Sequence, residues 1–422
     1  MTTSTPVRAR LSPLPTPGGP PPALAAPSAR HGTGFWVVAA AFLVAMAFST
    51  VPTPLFPLYA AHDGFSTFMV TVVFAVYAVG VMVSLVLAGH VSDWLGRRRV
   101  LLAALTLQLV AAVLFLTSAA LPVLLVARFV TGLGVGMLTA TATAHLHELH
   151  TAHRPRASAQ RFETVSTAAN IGGLGLGPLA AGFLAQYVTE PLRVPYAVFA
   201  VLLVAVMAAL VLAPETVRTP EVRPRYRPQR VSADHGDRAG YIGAAAAGFS
   251  AFAVLGLFTV TAPGFLGQAL GRPSHALAGA VVCAEYVAAV LAQTLTHRLP
   301  ARAKMTLGLL AQAVGFLTVV AGMHAVDLAT FLSGGIVAGI GSGLMFKAAV
   351  GTVVTMAAPA RRSEALAGLF LVAYVGLSVP AVSIGVATVS LTATAAMTWF
   401  AGLLLVLLAA VAVLNRRSPD GR

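Results

Sequence analysis

Twelve apolar stretches, each long enough to cross a lipid bilayer as a helix, follow one another along this sequence. A helix needs about 20 mostly apolar residues to span the hydrocarbon core of a bilayer. The stretches lie at roughly 35–60, 68–93, 99–120, 122–146, 162–188, 192–214, 240–267, 275–297, 303–323, 327–353, 364–387 and 391–414. The sequence therefore predicts an all-α membrane protein with twelve transmembrane helices.

The composition agrees with a chain that lies mostly in lipid. Of its 422 residues, 58% are hydrophobic and 9% are charged, whereas soluble domains carry about a quarter charged residues. In a soluble protein, a net charge of +14 would suggest nucleic acid as a partner. Here the lysines and arginines are concentrated in the N-terminal tail, in alternate loops and at the C-terminus. We therefore expect a lipid bilayer, and no nucleic acid, as the partner of this chain.

The arginines also predict the orientation of the chain in the membrane. The loops after the even-numbered stretches hold most of them, at 97–99, 154–161, 218–238, 298–304, 361–362 and 416–417. The alternate loops hold only Arg193 and Arg272. Short loops rich in arginine stay in the cytoplasm, so we expect both termini to be cytoplasmic and the chain to lie in the cell (inner) membrane.

The longest polar interruption divides the chain into two parts of six stretches each. Alternating glycines at 132–136 in the fourth stretch recur at 339–343 in the tenth, and such internal repeats with a site between them are a recurring plan of transporters. The predicted order is a disordered cytoplasmic tail at 1–34, an N-terminal six-helix bundle at 35–214, a cytoplasmic linker at 215–239, a pseudo-symmetric C-terminal six-helix bundle at 240–414 and a cytoplasmic tail at 415–422.

A polar segment, GHVSDWLGRRRV at 89–100, separates the second and third stretches. Asp93 there lies at the C-terminal end of a helix, where the helix dipole disfavours a negative charge, so it needs cationic partners. The segment resembles a signature of the major facilitator superfamily between its second and third helices. The matching residues are Gly89, Asp93, Gly96, Arg97, Arg98 and Arg99. The resemblance implies conformational gating, in which Asp93 docks on the N-terminus of helix 11 to close the cytoplasmic side.

Two further segments resemble motifs of this superfamily. Arg128 with the glycines at 132–136 resembles the motif of helix 4 in proton-coupled members. The segment 173–182 resembles the antiporter motif GxxxGPxxGG, which is associated with export, although Ala181 stands where glycine is usual. Its matching residues are Gly173, Gly177, Pro178 and Gly182. The ring of Pro178 frees the carbonyl of Leu174 from its helical hydrogen bond, and the glycines allow close packing against the other half.

The resemblance implies a twelve-helix drug:proton antiporter that exports small drug-like or amphipathic compounds by alternating access. The proton gradient drives it, with no cofactor, and the chain is expected to act as a monomer. A metabolite importer or proton symporter of the same superfamily is the alternative, and a receptor without transport is the alternative from another class. No nucleophile–base pair or Walker-type glycine loop occurs in the spans, so we do not expect an enzyme.

Proton coupling requires an ionisable group inside the membrane. Glu285 is the acid that lies unambiguously deep in a span, and removal from water favours the neutral form of a carboxyl. Lys347 can pair with Glu285, as a purely structural ion pair, or contact the substrate. Arg128 is either part of the coupling machinery or a structural donor to backbone carbonyls. Three acids near the cytoplasmic ends are the other candidates for carrying the proton, or else they form gating pairs: Asp93 with Arg97, Glu163 with Arg161 and Glu364 with Arg362.

A substrate cavity is expected between the two halves, lined by helices 1, 4, 7 and 10. Aromatic and methionine side chains supply adaptable contacts, and cationic substrates fit this expectation as well as amphipathic ones. The candidate cavity residues are Lys347, Phe48, Tyr59, Phe258 and Met345.

Four histidines in the run HLHELHTAH raise the question of a metal site. After His147 and Glu148 the next histidine, His150, arrives one residue too early for the HExxH pattern of zinc proteases. Histidines near the C-terminus of a helix also suit its dipole. We therefore expect no metal site at His145, His147, His150 and His153.

Overall fold

The computed structural model describes residues 29–89, 91–217, 226–229, 237–358 and 361–417. Every regular element in these ranges is helical. Most of the predicted tail at 1–34, most of the predicted linker at 215–239 and residues 418–422 lie outside the described residues.

Twelve helical segments of membrane-spanning length occur in the described part of the chain, which confirms the predicted number. They are α1 (Ala29–Thr50), α2 (Thr67–Ala88), α3 (Arg97–Thr117), α4 (Leu121–His153), α5 (Gln160–Tyr187), α6 (Val194–Val211), α7 (Arg238–Ala269), α8 (His275–Leu295), α9 (Ala301–Ala325), α10 (Leu328–Met356), α11 (Arg362–Ala387) and α12 (Ala393–Arg417). Single turns of π-helix interrupt α5 at Ala168–Gly172 and end α7 at Phe265–Ala269.

The first helix differs from its predicted bounds at both ends. It begins at Ala29, so residues 29–34 are helical and do not belong to a disordered tail. At its other end, Pro52 and Pro54 lack the backbone N–H that a continuing helix would use. The chain therefore passes through a 3₁₀ turn at Thr53–Leu55 into the short helix Phe56–Asp63.

Short polar side chains define the start of several spans. Ser66, Asp237, Ser274 and Asp327 each accept a hydrogen bond from the backbone N–H three residues later, at the start of α2, α7, α8 and α10. These caps satisfy backbone donors that have no partner in the first turn of a helix. Hydrogen bonds from the hydroxyl and the backbone N–H of Thr330 also lower the pKa of Asp327.

Helices α1–α6 form one half of the molecule and α7–α12 the other, each with its own core of buried apolar side chains. Packing in the first half recurs six helices later: α1 packs on α4, α5 and α6 as α7 packs on α10, α11 and α12. Likewise α3 packs on α4 and α6 as α9 packs on α10 and α12. This repeated packing agrees with the prediction of two matched six-helix bundles.

The two ends of the bundle differ in how the halves meet. We call the end with the arginine-rich loops at 97–99, 154–161 and 298–304 the arginine side, and the other end the opposite side. The halves are joined mainly by α2 on α11 and by α5 on α8. On the opposite side, Gly182 lies against the backbone carbonyl of His275, and Gly385 of α11 lies against Thr71 of α2. The opposite side is therefore closed in this conformation.

We expect a disulfide to form between Thr71→Cys and Gly385→Cys in a Cys283→Ser background. A Cβ at position 385 would lie 2.9 Å from the Cβ of Thr71, and a disulfide needs about 3.5–4.5 Å between its Cβ atoms. A small shift of α2 from α11 is therefore enough. The measurement is co-migration of the two halves on a non-reducing gel after cleavage at a protease site inserted in the segment between α6 and α7.

The matched control pairs Thr71→Cys with Gly402→Cys, because Gly402 lies on α12 with no other atom near its Cβ position. Separation of the halves in both double variants would show that the opposite side is open in solution.

Candidate functional site

A cavity lies between the two halves, in the interior of the helix bundle. The space between its lining atoms is about 820 Å³, including space open to solvent. The wall comes from α1, α2, α4 and α5 of one half and from α7, α8, α10 and α11 of the other. The sequence prediction named helices 1, 4, 7 and 10, so the structure adds one further pair of wall helices from each half.

Aromatic side chains form much of this wall. They are Phe74, Tyr77, Phe252, Tyr286, Phe346, Phe370 and Tyr374. The cavity extends toward the arginine side, because its wall includes Gln293, near the end of α8, and Phe370, near the start of α11.

None of the five predicted cavity residues lines the cavity, Lys347 included. Phe48, Tyr59, Phe258 and Met345 are buried within the cores of the two halves. Phe48 packs on Phe115 and Phe199, and the hydroxyl of Tyr59 donates a hydrogen bond to that of Tyr196. The prediction that they contact substrate is wrong for this conformation, because these side chains point into their own half.

Arg128 of α4 lies in the cavity wall with an exposed fraction of 2%. Its Nη1 donates to the carbonyl oxygen of Ser49 at 2.7 Å, and its Nε donates to that of Val73 at 3.4 Å. The guanidinium carbon lies 4.5 Å from the ring centre of Tyr77. Arg128 thus makes the backbone contacts expected of a structural donor and also faces the cavity.

Glu285 of α8 is fully buried, and neither of its carboxyl oxygens has a hydrogen-bond partner among the described residues. Gly339 of α10 packs directly against it, since a Cβ at Gly339 would lie 3.0 Å from Cγ of Glu285. The cavity wall includes the neighbouring residue, Tyr286. An ionised carboxylate at this position would be very unfavourable, because a buried charge needs a partner.

Lys347 does not pair with Glu285. Its Nζ lies 3.3 Å from Oε2 of Glu163 and donates to the backbone oxygen of Gln293 at 3.1 Å. The predicted ion pairs of Glu285 with Lys347 and of Glu163 with Arg161 are therefore wrong. The observed pair, Lys347 with Glu163, joins α10 to α5. The sequence does not predict this pair, because the order of the helices does not show which charged residues meet between the two halves.

The antiporter-like segment of α5 packs closely on both halves. Gly173 and Gly177 lie against the backbone of α1, while Gly182 lies against α8 and the carbonyl of Pro178 lies against Gly279 of α8. The prediction that the glycines allow close packing on the other half is confirmed for Gly182; Gly173 and Gly177 serve the same purpose within their own half.

The carbonyl freed by Pro178 has a partner, as its geometry requires. The hydroxyl of Thr50 in α1 donates a hydrogen bond of 3.0 Å to the oxygen of Leu174. A buried carbonyl without a donor is costly, so this bond stabilises the kinked helix. Thr50 and Leu174 both lie in the cavity wall, as does Asn170 in the π-helical turn of α5.

The loop signature at 89–100 connects the ends of several helices on the arginine side. Gly96 has φ +103°, a backbone conformation that favours glycine, and α3 begins directly after it. The carboxylate of Glu215 accepts hydrogen bonds from the backbone N–H of Arg97 at 2.9 Å and of Arg98 at 3.1 Å. A carboxylate at a helix N-terminus is favoured by the helix dipole. The sequence alone predicts no role for Glu215.

Arg97 is the centre of an ion-pair network in the same loop. Its guanidinium binds Asp93 at 2.5 Å and Glu148 of α4 at 2.9 Å. The predicted Asp93–Arg97 pair is therefore formed. The prediction that Asp93 docks on α11 is not realised in this conformation. Arg98 donates to the carbonyl oxygens of Val211 and Ala213 at the end of α6.

Described residues of the segment that connects the two halves also contact this loop. The backbone N–H of Gln229 donates to the oxygen of Val86, and the hydroxyl of Tyr226 donates to that of Leu87, both at the end of α2. The connecting segment is thereby attached to the first half.

The histidines of α4 have separate neighbours. His145 contacts the carbonyl of Pro214, His147 packs on Phe162 and His150 contacts the carbonyl of Ser158. In the part of the chain that the structure describes, no three metal-binding side chains form a group.

Comparison with known proteins decides the family. The family model of the Major Facilitator Superfamily matches residues 37–240. The solved structure of the human organic anion transporter MFSD10 (TETRAN) shares the fold, with a TM-score of 0.66 and 16% sequence identity over 90% of this chain and 99% of that chain.

Residues 37–240 belong to the major facilitator superfamily, and the chain has the fold of such a transporter. It is a multi-pass membrane protein, and its family and fold are those of transporters, which are not enzymes. Two curated relatives from Mycobacterium tuberculosis strains CDC 1551 and H37Rv, both described as uncharacterized MFS-type transporters, are 33% identical over 175 residues. This match covers 40% of the chain and a quarter (25%) of the length of each relative.

We expect Gly96→Ala to lower the thermal unfolding temperature of this superfamily member in detergent. A side chain in this backbone region costs about 1–3 kcal/mol, and its Cβ would lie 2.7 Å from Oε2 of Glu215. Gly64→Ala is the matched control, because Gly64 also has a positive φ, +70°, but has open space around its Cβ position. A loss no larger than that of the control would contradict a close contact between Gly96 and Glu215.

We expect Thr50→Val, which replaces a hydroxyl by a methyl group of similar size, to destabilise the protein by about 1–3 kcal/mol. The oxygen of Leu174 would then be buried without a donor. Thr106→Val is the control, since the exposed Thr106 donates only within its own helix. Unfolding temperatures of the two variants in detergent measure the difference, and equal values would show that Thr50 does not support the kink.

Proposed function

We propose that this chain is a secondary active transporter that exports small drug-like or amphipathic compounds in exchange for protons. The two halves would expose the central cavity to each side of the membrane in turn. In the topology predicted from the arginines, the protein lies in the cell (inner) membrane. Its arginine side and both termini would face the cytoplasm. The protein would act as a monomer, with the proton gradient as its energy source.

The observation that carries this proposal is the cavity between two halves that are packed directly together on the opposite side. Contacts at Gly182 and Gly385 close that side, while the cavity wall continues toward the arginine side as far as Gln293 and Phe370. In the predicted orientation this is the conformation that receives a compound from the cytoplasm, as an exporter requires.

Glu285 is our candidate for the proton-carrying group. It is fully buried, has no described hydrogen-bond partner and is next in sequence to a residue of the cavity wall. Among the described residues no cation pairs with it, and Lys347 pairs with Glu163 instead. A change in the exposure of the cavity would therefore alter how easily Glu285 takes up or releases a proton.

The Lys347–Glu163 pair would act as a tie between the halves in this conformation. It joins α10 to α5, so a rearrangement of the halves has to change or break it. Asp93, now bound to Arg97, would exchange this partner for the N-terminus of α11 when the arginine side closes. The direction of transport rests on the resemblance of segment 173–182 to the antiporter motif.

We expect Glu285→Gln to abolish proton movement coupled to export, while binding of the transported compound survives. Glutamine has nearly the same shape but takes up no proton. The measurement uses proteoliposomes that contain a pH-sensitive dye, to which candidate compounds from a resistance screen are added. Glu190→Gln is the matched control, because Glu190 is an exposed acid in the loop between α5 and α6. Coupling that persists in Glu285→Gln would remove this residue from the mechanism.

A further inference from the structure

The charged and polar groups in the cavity wall indicate the chemistry of the compound that it accepts. Among the described residues of the wall, Arg128 carries a formal charge and none is an aspartate or a glutamate. The fixed charge that faces the cavity is therefore positive.

The guanidinium of Arg128 has hydrogen-bonding capacity left for a ligand. In the described part of the chain, Nε and Nη1 donate to backbone oxygens, whereas Nη2 has no acceptor. The side chain also has no acidic partner in that part, although it is nearly fully buried. An unpaired buried cation is costly, and a carboxylate that binds the guanidinium would offset this cost.

The second half of the protein contributes another free donor. Gln293 of α8 lies in the wall with an exposed fraction of 6%, and its Nε2 has no described acceptor. The hydroxyls of Thr50, Thr139 and Thr259 in the wall instead donate to backbone oxygens of helices. Arg128 and Gln293, one in each half, thus each have an N–H group without a described acceptor.

The rest of the wall favours a flat apolar body. Seven aromatic rings line the cavity, from α2 of one half and from α7, α8, α10 and α11 of the other. Aromatic side chains bind flat rings by stacked or edge contacts. Tyr77 joins the two regions, because it lies under the guanidinium of Arg128.

We propose that the cavity binds amphipathic aromatic carboxylates, with the carboxylate on Arg128 and the aromatic body against the ring-lined wall. This inference rests on the proposed transport function and narrows its substrate class. It disfavours the cationic compounds that the sequence alone left open, since a cation would meet Arg128 with no acid nearby in the wall.

The test measures binding of three probes that share one ring system to the full chain in lipid nanodiscs at neutral pH. The probes are 2-naphthoate, its neutral amide 2-naphthamide and the cation 2-naphthylmethylammonium. Isothermal titration should show 2-naphthoate binding at least about tenfold more tightly than the other two. Tighter binding of the cation or the amide, or no binding of any probe, would overturn the proposal.

Variants of Arg128 and Gln293 test where in the cavity 2-naphthoate binds. Arg128→Gln should abolish the preference for 2-naphthoate, and Arg128→Lys should retain part of it, because a lysine keeps the charge but not the planar fork. Arg193→Gln, at an exposed arginine in the loop between α5 and α6, should change nothing. An unchanged preference in Arg128→Gln would contradict the assignment. If that variant does not fold, Gln293→Leu should weaken 2-naphthoate binding, and unaltered binding there would equally contradict it.

Transport measurements separate this inference from the proposed function. Tight binding of 2-naphthoate without flux in proteoliposomes would support the cavity assignment and refute export. Proton-coupled flux of the cation without binding of 2-naphthoate would support export and refute the carboxylate class.

Discussion

Direct contact between helix backbones is the constraint on which the interior of this protein depends. At Gly182 the backbones of the two halves touch, and at Gly385 the backbone of α11 lies against the side chain of Thr71, so the helices come close enough to close one end of the bundle. The same two helix pairs, α5 with α8 and α2 with α11, line the cavity further along. Contacts of this kind rely on close packing, without interlocking side chains, so they can separate and form again at small cost.

The two ionisable groups deep in the interior have different surroundings. Arg128 is held by backbone oxygens and faces the cavity, whereas Glu285 is packed against Gly339 behind the wall and has no described partner. Both groups lie in the interior of the helix bundle, and the two do not form an ion pair with each other. In the proposed mechanism, a compound bound in the cavity would act on Arg128, and a change in hydration would act on Glu285.

The sequence predicts the number and order of the spans because the length of an apolar stretch is fixed by the thickness of the bilayer. It also predicts the freed carbonyl of Leu174, since proline geometry is local. It does not predict which faces of the helices line the cavity. A helix in lipid is apolar on the outside as well as inside, so periodicity does not distinguish Phe48, which is buried in its own half, from Phe74, which lies in the wall. The partner of Lys347 is missed because it belongs to the other half.

The attachment of the connecting segment to the first half limits the relative motion of the halves. Glu215 is bound at the start of α3, and Gln229 is bound at the end of α2. The chain that remains between residue 229 and the start of α7 at Arg238 can extend by at most about 32 Å, at 3.3–3.6 Å per residue. The second half is therefore connected to the first by a short length of free chain. A wide separation of the halves would strain the loop that contains Asp93 and Arg97. If the hydrogen bonds of Glu215 were broken, the free chain between the halves would become longer only if Tyr226 and Gln229 also lost their hydrogen bonds to α2.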